Sequence, residues 1–279
     1  MPSNTPKASK AERRDAAREQ ARVLREQQAK RDKRNKILGI GGLSAAVVAL
    51  VVVVVYVVTQ GTSTSALPDY EDLPLSEVTS VPTVAMEDGG IPTSAEGVGV
   101  GDDSVTQIDV YLDYMCPACG AFESSNGENL IQLAESGKAT VVYHPIAILN
   151  RFSNGTGFST RAAAAAALVA QDSPAAFSTF NQQMFAGQPD EGTSGLTDAE
   201  IADIARDSGV DDDVADRIAD GGALESFGQW VHSATNAASA NADLVNPTSG
   251  NFGTPTIAID GVVWTENWSD PSALLSAIN

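Results

Sequence analysis

Cysteine and histidine are both scarce: the 279 residues include two cysteines, Cys116 and Cys119, and two histidines, His144 and His232. A framework of several disulfides, which many small exported domains need, is therefore excluded. A zinc site on the cysteine pair would require two further ligands, and the separation of the histidines resembles no common zinc spacing. We therefore expect neither a metal ion nor a cofactor.

Basic residues are scarce beyond residue 36. Residues 1–36 contain twelve Lys and Arg against five Asp and Glu, whereas the rest of the chain contains five against 31. A domain this acidic is a poor partner for nucleic acid, and we expect none to bind. The basic stretch is explained by membrane topology and by contact with anionic lipid, so residues 1–36 are predicted to form a cytoplasmic tail.

One long apolar run separates the basic and acidic parts. Residues 37–58 contain no charge, and 22 residues of helix can cross a bilayer core of roughly 30 Å. The basic flank predicts a single-pass anchor in the lipid of the cell membrane, with the C-terminal part outside the cytoplasm. A signal peptide cleaved near Thr64-Ser65-Ala66 is the alternative, but the basic and apolar segments are both longer than usual. Residues 59–81, rich in Ser, Thr, Pro and acids, are predicted to be a linker.

The remaining residues, 82–279, have the pattern of an α/β domain with a helical insertion at about 158–245. Expected strands lie at 83–86, 105–112, 139–144, 256–260 and 262–264, and the expected helices outside the insertion lie at 121–136 and 271–278. Within the insertion, Thr197 and Glu200 match a capping box at the start of one helix. The whole chain is thus predicted to be an α/β domain preceded by one transmembrane helix.

The cysteines form the motif Cys116-Pro117-Ala118-Cys119, between a predicted strand and a predicted helix. A helix N-terminus stabilises a thiolate, and a proline fits the first helical turn. We therefore expect Cys116 to be the exposed, attacking sulfur and Cys119 the more buried, resolving one. A structural disulfide is the alternative, although so short a loop would contribute little stabilisation.

A second signal, Gly253-Thr254-Pro255-Thr256, stands immediately before a predicted strand. Together with the C-P-x-C motif and the helical insertion, it resembles the DsbA-like branch of the thioredoxin superfamily, over about residues 82–279. The resemblance implies a thioredoxin fold in which Pro255 is cis and faces the dithiol. It also implies that Pro117 and Ala118 form the active-site motif and that Thr254 and Pro255 dock an incoming peptide.

The resemblance implies a function as well: a membrane-anchored enzyme that introduces disulfides into unfolded exported proteins and is reoxidised by a membrane partner. A disulfide reductase or isomerase on the same fold, or a non-catalytic binding or sensor ectodomain, remains an alternative. Relatives often carry Glu or Asp six residues before the first cysteine, where this chain has Val110. Asp109 is adjacent but should point to the opposite face of the strand, and His144 is interpreted as structural.

Overall fold

A computed structural model of the protein describes residues 67–278. The strands of this part are β1 (Ile91–Ser94), β2 (Gly97–Val98), β3 (Thr106–Leu112), β4 (Ala139–Pro145), β5 (Thr256–Ile259) and β6 (Val262–Val263). Its α-helices are α1 (Pro117–Glu135), α2 (Phe158–Asp172), α3 (Phe177–Ala186), α4 (Asp198–Asp207), α5 (Asp212–Ala219), α6 (Gly222–Ala240) and α7 (Pro271–Ile278).

The strands form one sheet in the order β2-β1-β4-β3-β5-β6. The central pair, β3 and β4, is parallel, with Val110 opposite Tyr143, and α1 makes the crossover between them. The neighbours β1 and β5 run antiparallel to this pair, and Val110 also faces Ile257 of β5. This arrangement brings the end of β3, the start of α1 and the start of β5 to one edge of the sheet. The predicted α/β thioredoxin fold with a helical insertion is confirmed.

The insertion consists of α2 to α6 between β4 and β5, and α2 lies at its centre. The run of six alanines in α2, residues 162–167, is buried, as are Leu168 directly after it and Phe158 at the start of the helix. Small side chains on every face let neighbouring helices approach closely, which explains why a helix with no polar face is stable here. At the start of α4, the Thr197 side chain and Glu200 form the predicted capping box.

The leading strand was predicted in the wrong place. Residues 83–86 form turns, and the strand that pairs with β4 is β1, Ile91–Ser94, whose second residue is Pro92. A proline usually argues against a strand interior, because it cannot donate to the ladder. All four residues of β1 are nevertheless buried, so tertiary packing outweighs the local preference.

The described part of the predicted linker, residues 67–81, packs against the helical insertion. The backbone of Glu71 exchanges hydrogen bonds of 3.0 and 2.8 Å with the Gln229 side chain of α6, and His232 contacts Asp72 at 3.1 Å. The predicted tail, residues 1–36, and the predicted anchor, residues 37–58, lie outside the described residues. Within residues 67–278, no helix is both long enough and apolar enough to cross a bilayer.

Candidate active site

The motif Cys116-Pro117-Ala118-Cys119 forms the start of α1, four residues earlier than the predicted helix. Cys116 is the N-cap residue, and Pro117 occupies the first helical position, where its missing N–H leaves no partner unsatisfied. The Cys116 carbonyl accepts hydrogen bonds from the backbone N–H groups of Cys119, at 3.0 Å, and Gly120, at 3.2 Å. The first helical turn therefore places both sulfurs at the positive end of α1.

The two cysteines are free thiols in this structure, and both are largely buried. Cys116 is 6% exposed and Cys119 is 1% exposed, so the expectation of an openly exposed Cys116 is wrong, although it remains the more accessible of the two. The reason is the loop before β5: the Cys116 sulfur donates to the Thr254 carbonyl at 3.1 Å. The Thr254-Pro255 peptide bond is cis, as the resemblance implied.

The pKa values of the two thiols move in opposite directions. The pKa of Cys116 is lowered to about 6, chiefly by the hydrogen bond from Cys119, with further contributions from the N–H groups of Cys119 and Ala118 and against the opposing effect of burial. Burial and the negative charge on the neighbouring sulfur raise the pKa of Cys119 well above its usual value. At neutral pH, Cys116 is therefore the thiolate, and Cys119 keeps its proton.

Asp113 fixes the backbone that leads into this motif. The side chain is fully buried; one carboxylate oxygen accepts the N–H of Met115 and the other that of Leu149, both at 2.9 Å. Its backbone carbonyl also accepts the N–H of Cys116 at 2.9 Å. Burial raises the pKa of Asp113 to about 6 against the opposing effect of these hydrogen bonds. The carboxyl group thus joins the loop before Cys116 to the loop after β4.

Gln188 reaches the motif from the helical insertion, just beyond α3. Its Nε2 donates to the carbonyls of Tyr114 and Cys116, both at 2.9 Å, so a single amide group satisfies two loop acceptors. Gly120 lies opposite it, and a Cβ there would collide with the Gln188 Oε1 and displace that side chain. The sequence carries no signal for this contact, since Gln188 stands 72 residues from Cys116.

We expect Gln188→Ala to raise the Cys116 pKa, because the loop would no longer hold the sulfur against the N–H groups of α1. Losing two hydrogen bonds should also destabilise the fold by about 1–3 kcal/mol. The thiolate absorbance as a function of pH, together with urea unfolding, measures both effects. Gln188→Glu keeps the size of the side chain but places a carboxylate oxygen, which can only accept, against two carbonyl oxygens. Its effects should therefore be larger than those of Gln188→Ala. Gln183→Ala, at an exposed position, is the control. Equal Cys116 pKa values and equal stabilities in the two alanine variants would contradict this role of Gln188.

Val110 is fully buried in the main core, and Asp109, which points to the other face, instead contacts His144: their Oδ1 and Nε2 atoms are 3.0 Å apart. The His144 ring also stacks on Tyr111 with centroids 4.0 Å apart. These contacts agree with the interpretation of His144 as structural.

The chain resembles known proteins over most of its described part. A family model described as thioredoxin matches residues 93–279. Among curated proteins, the serine/threonine-protein kinase PknE of Mycobacterium tuberculosis is 32% identical over 188 residues, which is 66% of this chain and 31% of the kinase. The chain therefore spans about a third of the length of the curated relatives it matches.

Several solved structures have a fold similar to that of this chain. Reduced DsbA from Mycobacterium tuberculosis is 28% identical with a TM-score of 0.52, covering 68% of this chain and 90% of that one. The disulfide bond oxidoreductase DsbG of the same organism is 27% identical with a TM-score of 0.53, covering 70% and 88%. MdbA, a thiol-disulfide oxidoreductase from Actinomyces oris, has a TM-score of 0.57 over 74% and 92%, but at 20% identity it supports the fold alone.

Proposed function

We propose that the chain, which belongs to the thioredoxin family, is a DsbA-like protein thiol–disulfide oxidoreductase that introduces disulfides into unfolded exported proteins. The supporting observation is the opposite shift of the two thiol pKa values, with Cys116 lowered to about 6 and Cys119 raised. Stabilising the Cys116 thiolate stabilises the reduced enzyme, and a stabilised reduced form makes the oxidised form a stronger oxidant.

In the proposed reaction, a substrate thiolate attacks the Cys116 sulfur of the oxidised enzyme. The Cys116–Cys119 bond breaks, its electron pair goes to the Cys119 sulfur, and Cys119 takes up a proton. A second substrate thiolate then attacks the substrate sulfur of the mixed disulfide and expels Cys116 as a thiolate. The substrate dithiol has lost two electrons and the enzyme has gained them. The low pKa of Cys116 makes it a good leaving group in this second step.

Thr254 and Pro255 are proposed to dock the substrate peptide, and Pro117 and Ala118 to shape the surface beside the reacting sulfur. Pro117 is exposed, while Thr254 and Pro255 are half-buried. In the reduced structure the Thr254 carbonyl accepts from Cys116. Because of this contact, a peptide bound to the Thr254 backbone would lie directly beside the Cys116 sulfur that is attacked.

We also propose that residues 37–58 anchor the enzyme in the membrane, with the domain outside the cytoplasm and a membrane partner that reoxidises the dithiol. The supporting observations are the uncharged run of 22 residues and the basic stretch before it. Carbonate extraction distinguishes this anchor from a cleaved signal: the full-length chain should stay in the membrane pellet. Its release into the supernatant would contradict the proposal.

The reduction potential distinguishes an oxidase from a reductase or isomerase. A Cys116 pKa of about 6 lies between the values typical of thioredoxin, about 7, and DsbA, about 3.5. We therefore expect equilibration with glutathione to give a potential between about −270 and −120 mV. The purified oxidised protein should also oxidise a reduced, unfolded substrate. A potential at or below about −270 mV would instead identify a reductase.

A non-catalytic sensor domain is the second candidate, favoured by the 32% identity to part of a protein named as a kinase. The two candidates differ in the reactivity of the disulfide. A sensor domain with an inert bond would resist native-state reduction and leave neither sulfur open to alkylation. The proposed enzyme should instead be reduced by dithiols under native conditions and then be alkylated at Cys116.

A further inference from the structure

Three potential metal ligands meet beside the central strands. Asp109 of β3 and His144 of β4 are 5% and 2% exposed, and the Oδ1 and Nε2 atoms of this pair are 3.0 Å apart. Asp88, from the loop before β1, completes the group from the solvent side, and the three ligand atoms lie within 4.8 Å of one another. Because the donors of one site must converge on a single point, this grouping has the first property of a metal centre.

Surrounding groups hold all three ligands in place. The Gln107 amide donates to both oxygens of Asp109, at 3.0 and 3.1 Å, and the backbone N–H of Gly90 donates to Asp88 at 3.0 Å. The His144 ring stacks on Tyr111 and also packs closely against Gly90, where a Cβ would lie 2.8 Å from the ring carbon Cε1. Metal ligands in proteins are oriented by outer hydrogen bonds of this kind.

The cluster also carries negative charge that the described residues do not balance. Within residues 67–278, no lysine or arginine forms an ion pair with Asp88 or Asp109. Three arginines are instead paired elsewhere: Arg161 with Asp198, Arg206 with Asp203 and Asp216, and Arg217 with Asp172. A buried carboxylate needs a counter-charge, and within the described residues the buried Asp109 has no partner with a fixed positive charge.

We propose that Asp88, Asp109 and His144 bind a divalent transition-metal ion of the Zn²⁺ class, with water completing its coordination. Two ligand atoms that are each about 2.0–2.2 Å from a tetrahedral zinc ion stand roughly 3.3–3.6 Å apart, so the 3.0 Å contact between Asp109 and His144 would open by a few tenths of an ångström on binding. The imidazole favours Zn²⁺ over Ca²⁺, which takes six to eight oxygen ligands. Because Asp88 is exposed, the ion can reach the site from the solvent. Ligation by Asp88 would fix the loop before β1 against the sheet.

The test is calorimetric titration of Zn²⁺ into the full, untagged chain in detergent. Cys116→Ser and Cys119→Ser are introduced together, because thiolates also bind zinc. We expect one ion per chain. Asp88→Asn should weaken binding at least about tenfold, since it removes one charged ligand while its amide oxygen can still accept from Gly90. The control is Asp103→Asn, an equal charge change at an exposed site, which should leave binding unchanged.

Three results would overturn the proposal. The first is the absence of stoichiometric Zn²⁺ binding in the double serine variant. The second is equal binding by the Asp88→Asn and Asp103→Asn variants, which would place the ion elsewhere. The third is Ca²⁺ binding as tight as that of Zn²⁺, which would make His144 irrelevant to the ion.

Discussion

Cys116→Ser is expected to abolish oxidation of a reduced, unfolded substrate, a loss of at least about 10³-fold, because a hydroxyl cannot form the mixed disulfide. The remaining thiol, Cys119, should also resist alkylation at neutral pH, since it is 1% exposed and its pKa is raised. Substrate oxidation and the rate of alkylation measure the two effects. Full activity of this variant would disprove the proposed mechanism.

Substitutions at Cys119 should behave differently and are the matched controls. Cys119→Ser leaves Cys116 as a reactive thiolate, so substrate or glutathione should accumulate on Cys116 as a mixed disulfide. The principal cause of the lowered Cys116 pKa is the hydrogen bond from Cys119. A serine hydroxyl can replace that donor and an alanine cannot, so Cys119→Ala should raise the Cys116 pKa toward about 8.5. Equal pKa values in the two variants would contradict this assignment.

Local patterns are sufficient to predict the parts of the site that lie close together in the chain. The C-P-x-C motif places both cysteines in the first turn of α1, because a strand ends and a proline follows. The capping box of Thr197 and Glu200 predicts its helix start because the two side chains are three residues apart and can each accept the other's backbone N–H. The proline before β5 is recognised only through its family resemblance, since a cis bond has no local signature beyond the proline itself.

Contacts between distant segments could not be predicted from one sequence. Gln188 supports the Cys116 loop across 72 residues, and its amide is one polar side chain among many. Asp109 and His144 are 35 residues apart, and their meeting depends on the parallel register of β3 and β4. The burial of Cys116 by Thr254 likewise requires β5 to lie beside β3. Long-range register, rather than local preference, determines this part of the site.

A further buried carboxyl group, Glu123, makes the fold sensitive to pH. Its side chain is 6% exposed, and neither carboxylate oxygen has a hydrogen-bond partner among the described residues. Burial raises its pKa from 4.5 to about 7. Gly127 makes room for it one turn along α1, because a Cβ there would collide with Oε1. The helix thus carries a glycine in its interior, at a cost of roughly 0.5–1 kcal/mol.

The sign of the effect follows from where Glu123 loses its proton. Below about pH 4.5 the group is protonated in both states and does not affect stability. Between about 4.5 and 7 the unfolded chain releases the proton while the folded chain retains it, so the free energy of unfolding falls as pH rises. Above about pH 7 the loss is complete, on the order of 3 kcal/mol. Asp113, whose pKa is raised to about 6, contributes in the same direction.

Glu123→Gln should therefore stabilise the fold by about 3 kcal/mol near pH 8 relative to its effect near pH 4. Taking the difference between the two pH values cancels any cost of accommodating the amide, because that cost does not involve a proton. It also cancels the contribution of Asp113 to the pH dependence, because Asp113 is unchanged in the variant. Urea unfolding at both pH values measures the effect, and Glu128→Gln, at an exposed position of the same helix, is the control. A pH-independent difference would mean that the pKa of Glu123 is not raised in the folded protein, and the slope of the wild-type protein would then belong to Asp113.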